Sequence, residues 1–135
     1  MFFVFSFYGD WALFLLRVVL GAIFIGHGFP KIRNVRSTAQ GFEGMGFKPG
    51  VLWGPLVAVV EFFGGLALFA GLWTQIIAGL LAIQFLVIMA WKLMRHESFI
   101  GGFELDLLIL VAAIVLLTYG GGALALDKVF FVGGY

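Results

Sequence analysis

Residues 51–94 read VLWGPLVAVVEFFGGLALFAGLWTQIIAGLLAIQFLVIMAWKLM, and two apolar runs in this stretch decide the fold. Each run, 51–71 and 74–94, has about the 20 residues that an α-helix needs to cross the hydrocarbon core of a bilayer. Only the short segment GLWTQ, residues 71–75, joins the two runs. Such a short connection predicts two antiparallel membrane-spanning helices that form a hairpin.

Two further apolar runs flank this hairpin, at residues 11–29 and 104–122. Hydrophobic residues make up 63% of the 135 residues and charged residues only 11%, and the mean hydropathy is +1.15. A soluble domain of this size could not cover so much apolar surface with so few charges. We therefore predict an all-α integral membrane protein, a four-helix antiparallel bundle that forms one domain over residues 1–135.

Basic residues are concentrated in the two loops that join these helices at one end of the bundle. Loop 30–50 carries four Lys or Arg residues against one acidic residue, and loop 92–103 carries two against one. Cytoplasmic loops of membrane proteins are enriched in Lys and Arg. We therefore expect both loops to be cytoplasmic and both termini to lie outside.

The longer of these loops also contains a candidate interfacial helix between Val35 and Met45. Gly44, Gly46 and the pair Pro49-Gly50 lie at or just after the end of this segment, and they predict that the helix ends there. Because an interfacial helix buries its apolar face at the membrane surface, we expect Phe42 and Phe47 to face lipid.

Three polar residues interrupt the apolar runs: Arg17, Glu61 and Gln84. A charge near the bilayer centre costs roughly 2.5–3.5 kcal/mol on insertion scales, so such residues usually face a partner or a wet cavity. From the rise of about 1.5 Å per helical residue, Glu61 and Gln84 lie level, and Arg17 lies about one turn away. We predict an intramembrane polar network, which either fixes helix register or forms a functional site.

A second polar group gathers at the end of the bundle that carries the basic loops. Its members close the first and third helices or open the fourth: His27, Lys31, Lys92, His96, Glu104 and Asp106. Lys side chains at such positions commonly extend to lipid headgroups, whereas His27 could donate a hydrogen bond to a quinone carbonyl. The cluster is a candidate for quinone or lipid contacts. It lacks the histidine spacing of a metal site, and we predict no metal.

Small residues recur on the helix faces that carry Arg17 and Glu61. Gly21 and Gly28 follow Arg17 at helical spacings of four and eleven, and Gly65 follows Glu61 by four. Small residues let helices approach closely in lipid. We expect helix packing at five glycines: Gly21, Gly28, Gly64, Gly65 and Gly71.

The order and spacing of these residues resemble the DoxX family of small four-helix membrane proteins over roughly residues 12–120. The resemblance rests on Leu16-Arg17, Gly21, His27-Gly28-Phe29-Pro30-Lys31, Glu61-Phe62-Phe63-Gly64-Gly65, Gly71 and Gly102-Phe103-Glu104. It implies a prokaryotic inner-membrane protein with relatives linked to thiosulfate:quinone oxidoreductase, quinol oxidase and oxidative-stress assemblies. The family residues carried by this chain are Arg17, His27, Gly28, Lys31, Glu61, Gly65 and Glu104.

Three functional classes remain open from the sequence. The first is a redox-associated membrane subunit in which Arg17, Glu61, His27 and Glu104 serve a quinone; the second is a non-enzymatic assembly subunit; the third is a small oligomeric transporter or channel. Because the chain has no cysteine, it offers no thiol chemistry and no cysteine-held cluster, which favours an accessory subunit over an independent enzyme.

The expected ligands and partners follow from the same composition. We expect no covalent cofactor, a bound quinone and bound lipid, and a homo-oligomer or the other subunits of a membrane complex as protein partners. The net charge of +1 gives no basic field for nucleic acid, so we expect no nucleic-acid partner.

Overall fold

The computed structural model describes residues 4–130, and within them four helices are long and apolar enough to cross a membrane. The four spans are Phe5–Arg33, Gly50–Ala70, Thr74–Met94 and Phe99–Tyr119. Their α-helices are α1 (Gly9–Arg33), α3 (Gly50–Ala70), α4 (Thr74–Met94) and α5 (Glu104–Tyr119), and short 3-10 and π-helical segments, Val4–Tyr8 and Phe99–Phe103, precede α1 and α5. Two shorter helices accompany them, α2 (Val35–Gly44) and the single turn α6 (Asp127–Phe130). The predicted fold class, an all-α membrane four-helix bundle, is confirmed.

The first helix continues past Pro30, where the sequence predicted its end. Proline disfavours helix in the residue before it and lacks an N–H donor. However, α1 runs on to Arg33, and the Pro30 carbonyl accepts a hydrogen bond from Asn34 N at 3.1 Å. The extra turn makes Lys31 part of α1, on the same side of the helix as Gly28.

Helix α2 lies in the first basic loop as predicted, and the two phenylalanines expected to face lipid, Phe42 on α2 and Phe47 just after it, lie at a cavity. The Asn34 side chain caps it by accepting a hydrogen bond from Ser37 N at 3.1 Å. Gly50 and Gly54 lie so close to the α2 backbone at Ala39 that a Cβ on either would come within 2.7 Å of it. This contact turns Phe42 inward, and both Phe42 and Phe47 line a cavity described below.

Helices α1 and α3 pack antiparallel through glycines. A Cβ at Gly21 would lie 2.8 Å from the Gly65 carbonyl oxygen, and one at Gly28 would lie 2.5 Å from Phe62 N. Gly64 faces α4, where a Cβ would lie 3.2 Å from Ile77 Cγ2. The four glycines Gly21, Gly28, Gly64 and Gly65 therefore lie at close helix contacts.

Gly71 has a different role, because it ends α3. Its φ of +80° is the left-handed conformation that favours glycine at helix ends. Leu72 N then donates to the Ala67 carbonyl at 2.8 Å, which closes the last turn. The chain reverses at once into α4, so the predicted hairpin is present.

The apolar core lies between α1, α3, α4 and α5. Phe24 and Phe85 meet edge to face with ring centroids 5.5 Å apart, and Leu68, Leu81 and Leu116 are fully buried beside them. We call the end of the bundle near residues 71–73 the hairpin end, and the opposite end, with loops 34–49 and 95–103, the basic end.

After α5 the chain folds back over the hairpin end. Asp127 N donates to the Gly71 carbonyl at 2.9 Å. The Asp127 carboxylate accepts hydrogen bonds from Trp73 N at 2.6 Å and Thr74 N at 3.0 Å, which caps α4. Asp10 at the start of α1 accepts a hydrogen bond from Ala123 N at 3.0 Å. These bonds fasten residues 120–130 to three helices.

Candidate functional site

The hairpin helices α3 and α4 separate toward the basic end and leave a pocket between them. Near the turn they are in contact at Gly64 and Ile77. Beyond that level lies a cavity of about 440 Å³. Most of its lining is apolar: Phe42, Met45, Phe47, Trp53, Leu56, Val57, Val60, Leu80, Ile83, Val87, Ile88 and Trp91, with Lys31, Glu61, Gln84 and Lys92 as the polar members.

Three of these polar side chains are joined at the inner end of the pocket. Glu61 is 3% exposed and accepts two hydrogen bonds, from Lys31 Nζ to Oε2 at 2.6 Å and from Gln84 Nε2 to Oε1 at 2.8 Å. We call Lys31, Glu61 and Gln84 the polar floor. Each comes from a different helix, so the floor ties α1, α3 and α4 together.

The close approach of α1 and α3 explains why Lys31 reaches Glu61. Gly28 brings the α1 backbone against Glu61 and Phe62, and Lys31 follows one turn later on the same face. Because the helix continues through Pro30, the Lys31 side chain extends along α3 rather than into the loop. The polar floor therefore depends on a glycine contact and on the extra turn of α1.

Two phenylalanines and a methionine close the basic end of the pocket, and we call Phe42, Met45 and Phe47 the roof. Phe47 lies 5.9 Å from Phe42 and 6.1 Å from Trp91 between ring centroids. Trp91 Nε1 donates to the Met45 carbonyl at 3.0 Å, which fastens the roof to α4. The side of the pocket between α3 and α4 is left open, where Leu56, Ile83 and Val87 are exposed.

Lys92 lines the pocket but is bonded to α5 rather than to the polar floor. Its Nζ lies 2.6 Å from Asp106 Oδ2 and 3.2 Å from the Gly102 carbonyl oxygen. Arg95, one turn further on, stacks over the Trp91 ring with its Cζ 4.4 Å from the centroid. The Lys92–Asp106 pair thus holds α4 and α5 together beside the pocket.

Arg17 belongs to a separate site at the hairpin end, so the predicted network joins only Glu61 and Gln84. Arg17 is 1% exposed, and its guanidinium donates to the carbonyls of Leu68 and Phe69 at 2.8 Å and of Leu124 at 3.3 Å. The first two carbonyls lie in the last turn of α3, where they lack the usual helical partners. The cation also complements the negative end of the α3 dipole.

The predicted depth of Arg17, about one helical turn from Glu61, was wrong because the sequence misplaced the start of α1 relative to the end of α3. The sequence placed residues 11 and 71 at the same depth, whereas α1 begins at Gly9 and its first turns extend beyond the end of α3. The carbonyl partners of Arg17 are seven and eight residues from Glu61 along α3. At about 1.5 Å per residue, that separation is roughly 10–12 Å, too far for a shared network.

The remaining residues of the predicted cluster lie at the basic end but do not line the pocket. His27 is exposed on α1, and in the described residues it makes no hydrogen bond. His96 is exposed in the loop after α4 with a φ of +58°. Glu104 is also exposed, and it accepts a local hydrogen bond from Gly101 N at 3.2 Å. Of the six predicted residues, the pocket contains Lys31 and Lys92.

Several residues of these sites were not singled out from the sequence. Asp10 and Asp127 lie outside the apolar runs, so nothing marked them as partners of distant backbone. Phe42 and Phe47 were singled out only as lipid-facing residues, and Trp91 not at all, although aromatic side chains and lysines near one membrane interface are a recognisable signal. Their meeting over one cavity is a result of tertiary packing.

The family model described as DoxX matches residues 12–97, which is more than half of the chain and includes all three residues of the polar floor. The chain belongs to the DoxX family. The matched segment also contains Arg17 and the glycines of the α1–α3 contact, so both sites of this DoxX protein draw on the family segment.

Two bacterial proteins are similar to this DoxX protein over most of their lengths. One, from Bacillus subtilis (strain 168), bears the name "Putative oxidoreductase CatD"; it is 36% identical over 120 residues, which cover 88% of this chain and 87% of the relative. The other, "Inner membrane protein YqjF" of Escherichia coli (strain K12), is 32% identical over 124 residues, covering 88% and 92%. No solved structure matches the chain.

Proposed function

We propose that this DoxX protein is a redox-associated subunit of the inner membrane and that its α3–α4 pocket binds a quinone or quinol. The family, the four apolar helices and the relative named as an oxidoreductase support the first part. By the bias of Lys and Arg, the basic end with the pocket roof faces the cytoplasm and both termini lie outside. The chemistry of the pocket carries the second part.

The observation that carries the quinone proposal is a polar floor inside an otherwise apolar cavity. Small-molecule pockets commonly measure about 300–1,000 Å³ and combine apolar walls with a few fixed polar groups, and this pocket has about 440 Å³. Lys31 retains N–H donors that suit a quinone carbonyl, and the oxygens of Glu61 and Gln84 suit a quinol hydroxyl. The same floor therefore accommodates both redox forms.

The open side of the pocket fits a lipid-soluble ligand. Leu56, Ile83 and Val87 are exposed on the outside of the bundle, at a depth where the solvent is hydrocarbon. An isoprenoid tail could leave the pocket between them while the ring stays at the polar floor. The roof covers the aqueous end, so a ligand enters from the bilayer.

An accessory role follows from what the chain can supply. Without cysteine it has no thiolate to hold an iron–sulfur cluster, so the electrons that change the redox state of a bound quinone are exchanged with another subunit. A purely structural subunit is the second candidate. It is favoured by Arg17, because a buried arginine whose two terminal nitrogens donate to backbone carbonyls serves the fold.

Tryptophan fluorescence can test quinone binding directly. The chain has four tryptophans, and two of them, Trp53 and Trp91, line the pocket. In a Trp11→Phe/Trp73→Phe background, a short-tailed ubiquinone or menaquinone analogue should quench the remaining emission saturably. Gln84→Leu should weaken binding about tenfold, because it removes one side of the polar floor, and a hydrogen bond contributes roughly 0.5–1.5 kcal/mol.

A matched control exists at the hairpin end. Gln75 Nε2 donates to the Leu117 carbonyl at 3.0 Å, away from the pocket, so Gln75→Leu should leave quenching unchanged. Absence of saturable quenching in the parent protein would refute quinone binding. Displacement of the quinone by an isoprenoid alcohol at equal concentration would show a groove for lipid tails without recognition of the ring, which also contradicts the proposal.

A further inference from the structure

We propose that Lys31 and Glu61 form a proton port, through which protons pass between water at the basic end and the oxygen of the pocket ligand. This inference rests on the proposed quinone site and concerns how that site is supplied with protons. The ligand and the proton would then use different openings. The ligand would enter from lipid between α3 and α4, and the proton would enter at the end of α1.

A proton port needs one partner that is buried at the ligand and one that is more exposed, and the Lys31–Glu61 ion pair has this arrangement. The Glu61 side chain is 4% exposed and faces the pocket, whereas the Lys31 side chain is 31% exposed. Their charged atoms lie 2.6 Å apart, which is short enough for direct proton transfer between them. Lys31 belongs to the last turn of α1, so its ammonium lies between the buried Glu61 carboxylate and the basic end.

The other polar groups near Glu61 do not offer an equivalent route. Gln84 on α4 contacts Glu61 but cannot release a proton at neutral pH. Lys92, the second lysine of the pocket, is bonded to Asp106 and to the Gly102 carbonyl and makes no hydrogen bond to Glu61. Among residues 4–130, Lys31 is therefore the charged partner of Glu61.

The proton balance follows from quinone chemistry. When a reduced redox cofactor of another subunit, or the soluble mediator of the test below, supplies two electrons, the quinone must gain two protons at its oxygens. Each proton passes from Lys31 Nζ to the Glu61 carboxylate and from Glu61 to a quinone oxygen, forming an O–H bond, and water at the basic end then reprotonates Lys31. Quinol oxidation runs the same steps in reverse. Proton delivery of this kind typically accelerates a reaction by roughly 10²–10⁴-fold.

Lys31→Arg separates this relay from a structural ion pair. Arginine keeps the positive charge and can donate hydrogen bonds to Glu61, but its guanidinium does not release its proton in proteins. With the protein in a supported bilayer, an electrode and a soluble mediator provide the electrons, and voltammetry measures how fast the bound quinone is reduced. We expect Lys31→Arg, studied at a quinone concentration that saturates its own tryptophan quenching, to slow this reduction about 100-fold.

The matched control is Lys48→Arg, which changes an exposed lysine at the same end of the bundle outside the pocket and should retain the parent rate. A parent-like rate in Lys31→Arg would overturn the port while leaving quinone binding intact. Failure of the parent protein to bind quinone would instead refute the proposed function.

Access of water to position 31 tests the port without any quinone. The chain has no native cysteine, so Lys31→Cys and Ile83→Cys each carry a single thiol. A membrane-impermeant thiol reagent should label Cys at position 31 and not at position 83, which lies at the lipid opening. An unreactive thiol at position 31, in a protein that remains folded by size-exclusion chromatography, would overturn the port.

Discussion

At the scale of single residues, two buried charged side chains, Arg17 and Glu61, have different kinds of partner. Arg17 donates to backbone carbonyls and leaves the fold more stable, whereas Glu61 faces a cavity and is matched by one ammonium and one amide. A charge partnered by backbone cannot respond to a ligand without opening a helix end. A carboxylate between two side chains at a cavity can exchange partners, so the candidate site lies at Glu61.

The first prediction at this scale concerns Arg17. Arg17→Met should lower stability by about 3 kcal/mol, because hydrogen bonds to a charged group contribute roughly 1.5–3 kcal/mol each and the Phe69 carbonyl would lose its partner. Thermal unfolding in detergent measures the change. Arg36→Met, at an exposed position of α2, should change stability little and serves as the control.

Exchange of the two charges in Arg17→Glu/Glu61→Arg sharpens this prediction. Because the partners of Arg17 are carbonyl oxygens, a carboxylate at position 17 would repel them, and the double variant should be no more stable than the less stable single variant. Recovery of stability in the double variant would indicate that positions 17 and 61 do interact, contrary to the structure.

At the scale of helices, the α1–α3 contact determines the candidate site. Gly28 and Gly65 let the two backbones touch, and this contact sets which residue of α1 reaches Glu61. The continuation of α1 through Pro30 then supplies Lys31. A larger residue at the contact would move Lys31 away from the pocket even though it touches neither Lys31 nor a ligand.

Gly28→Ala tests the tight α1–α3 contact on which the site depends. The added Cβ would lie 2.5 Å from Phe62 N and 2.7 Å from Phe62 Cα, so the backbones must separate. Such overpacking typically costs about 1–3 kcal/mol, and the thermal midpoint should fall. Gly26→Ala is a matched control on the same helix, because its Cβ would meet no atom within 4 Å. If the thermal midpoint fell as far in Gly26→Ala as in Gly28→Ala, the result would argue against the tight contact.

At the scale of the whole molecule, α3 and α4 are in contact at one end of the bundle and apart at the other. The segment 120–130 and the Arg17 site fasten the hairpin end, where α3 and α4 meet. At the basic end the same two helices are apart, and α2 with its roof covers the gap. The pocket thus lies in the half of the bundle that the proposed orientation turns toward the cytoplasm.

Thiol labelling in cells tests this orientation. Arg36→Cys places the single thiol at the basic end, and Ala123→Cys places it at the hairpin end, both at exposed positions. With a membrane-impermeant maleimide, Ala123→Cys should react in intact spheroplasts and Arg36→Cys only after lysis. The cysteine-free parent controls for background, and the reverse pattern would contradict the proposed orientation.

The sequence by itself determined the four membrane helices, the hairpin and the packing glycines. Those features depend on local composition: apolar runs of about 20 residues, a short connection and small residues at helical spacing. The sequence also predicted that Glu61 and Gln84 lie level. Each is ten residues from the end of its apolar run at the turn, residues 71 and 74, and a hairpin places such residues at equal depth.

Only the tertiary structure decided the partners of the long side chains. Lys31, and not the predicted Arg17, lies beside Glu61. The register of α1 against α3 depends on backbone contact at Gly21, Gly28 and Gly65 rather than on where each apolar run begins. His27, His96 and Glu104 lie at the predicted end but outside the pocket, because depth along a helix does not fix the direction in which a side chain points. The cavity and its aromatic roof likewise arise from three-dimensional packing between segments that are distant in the chain.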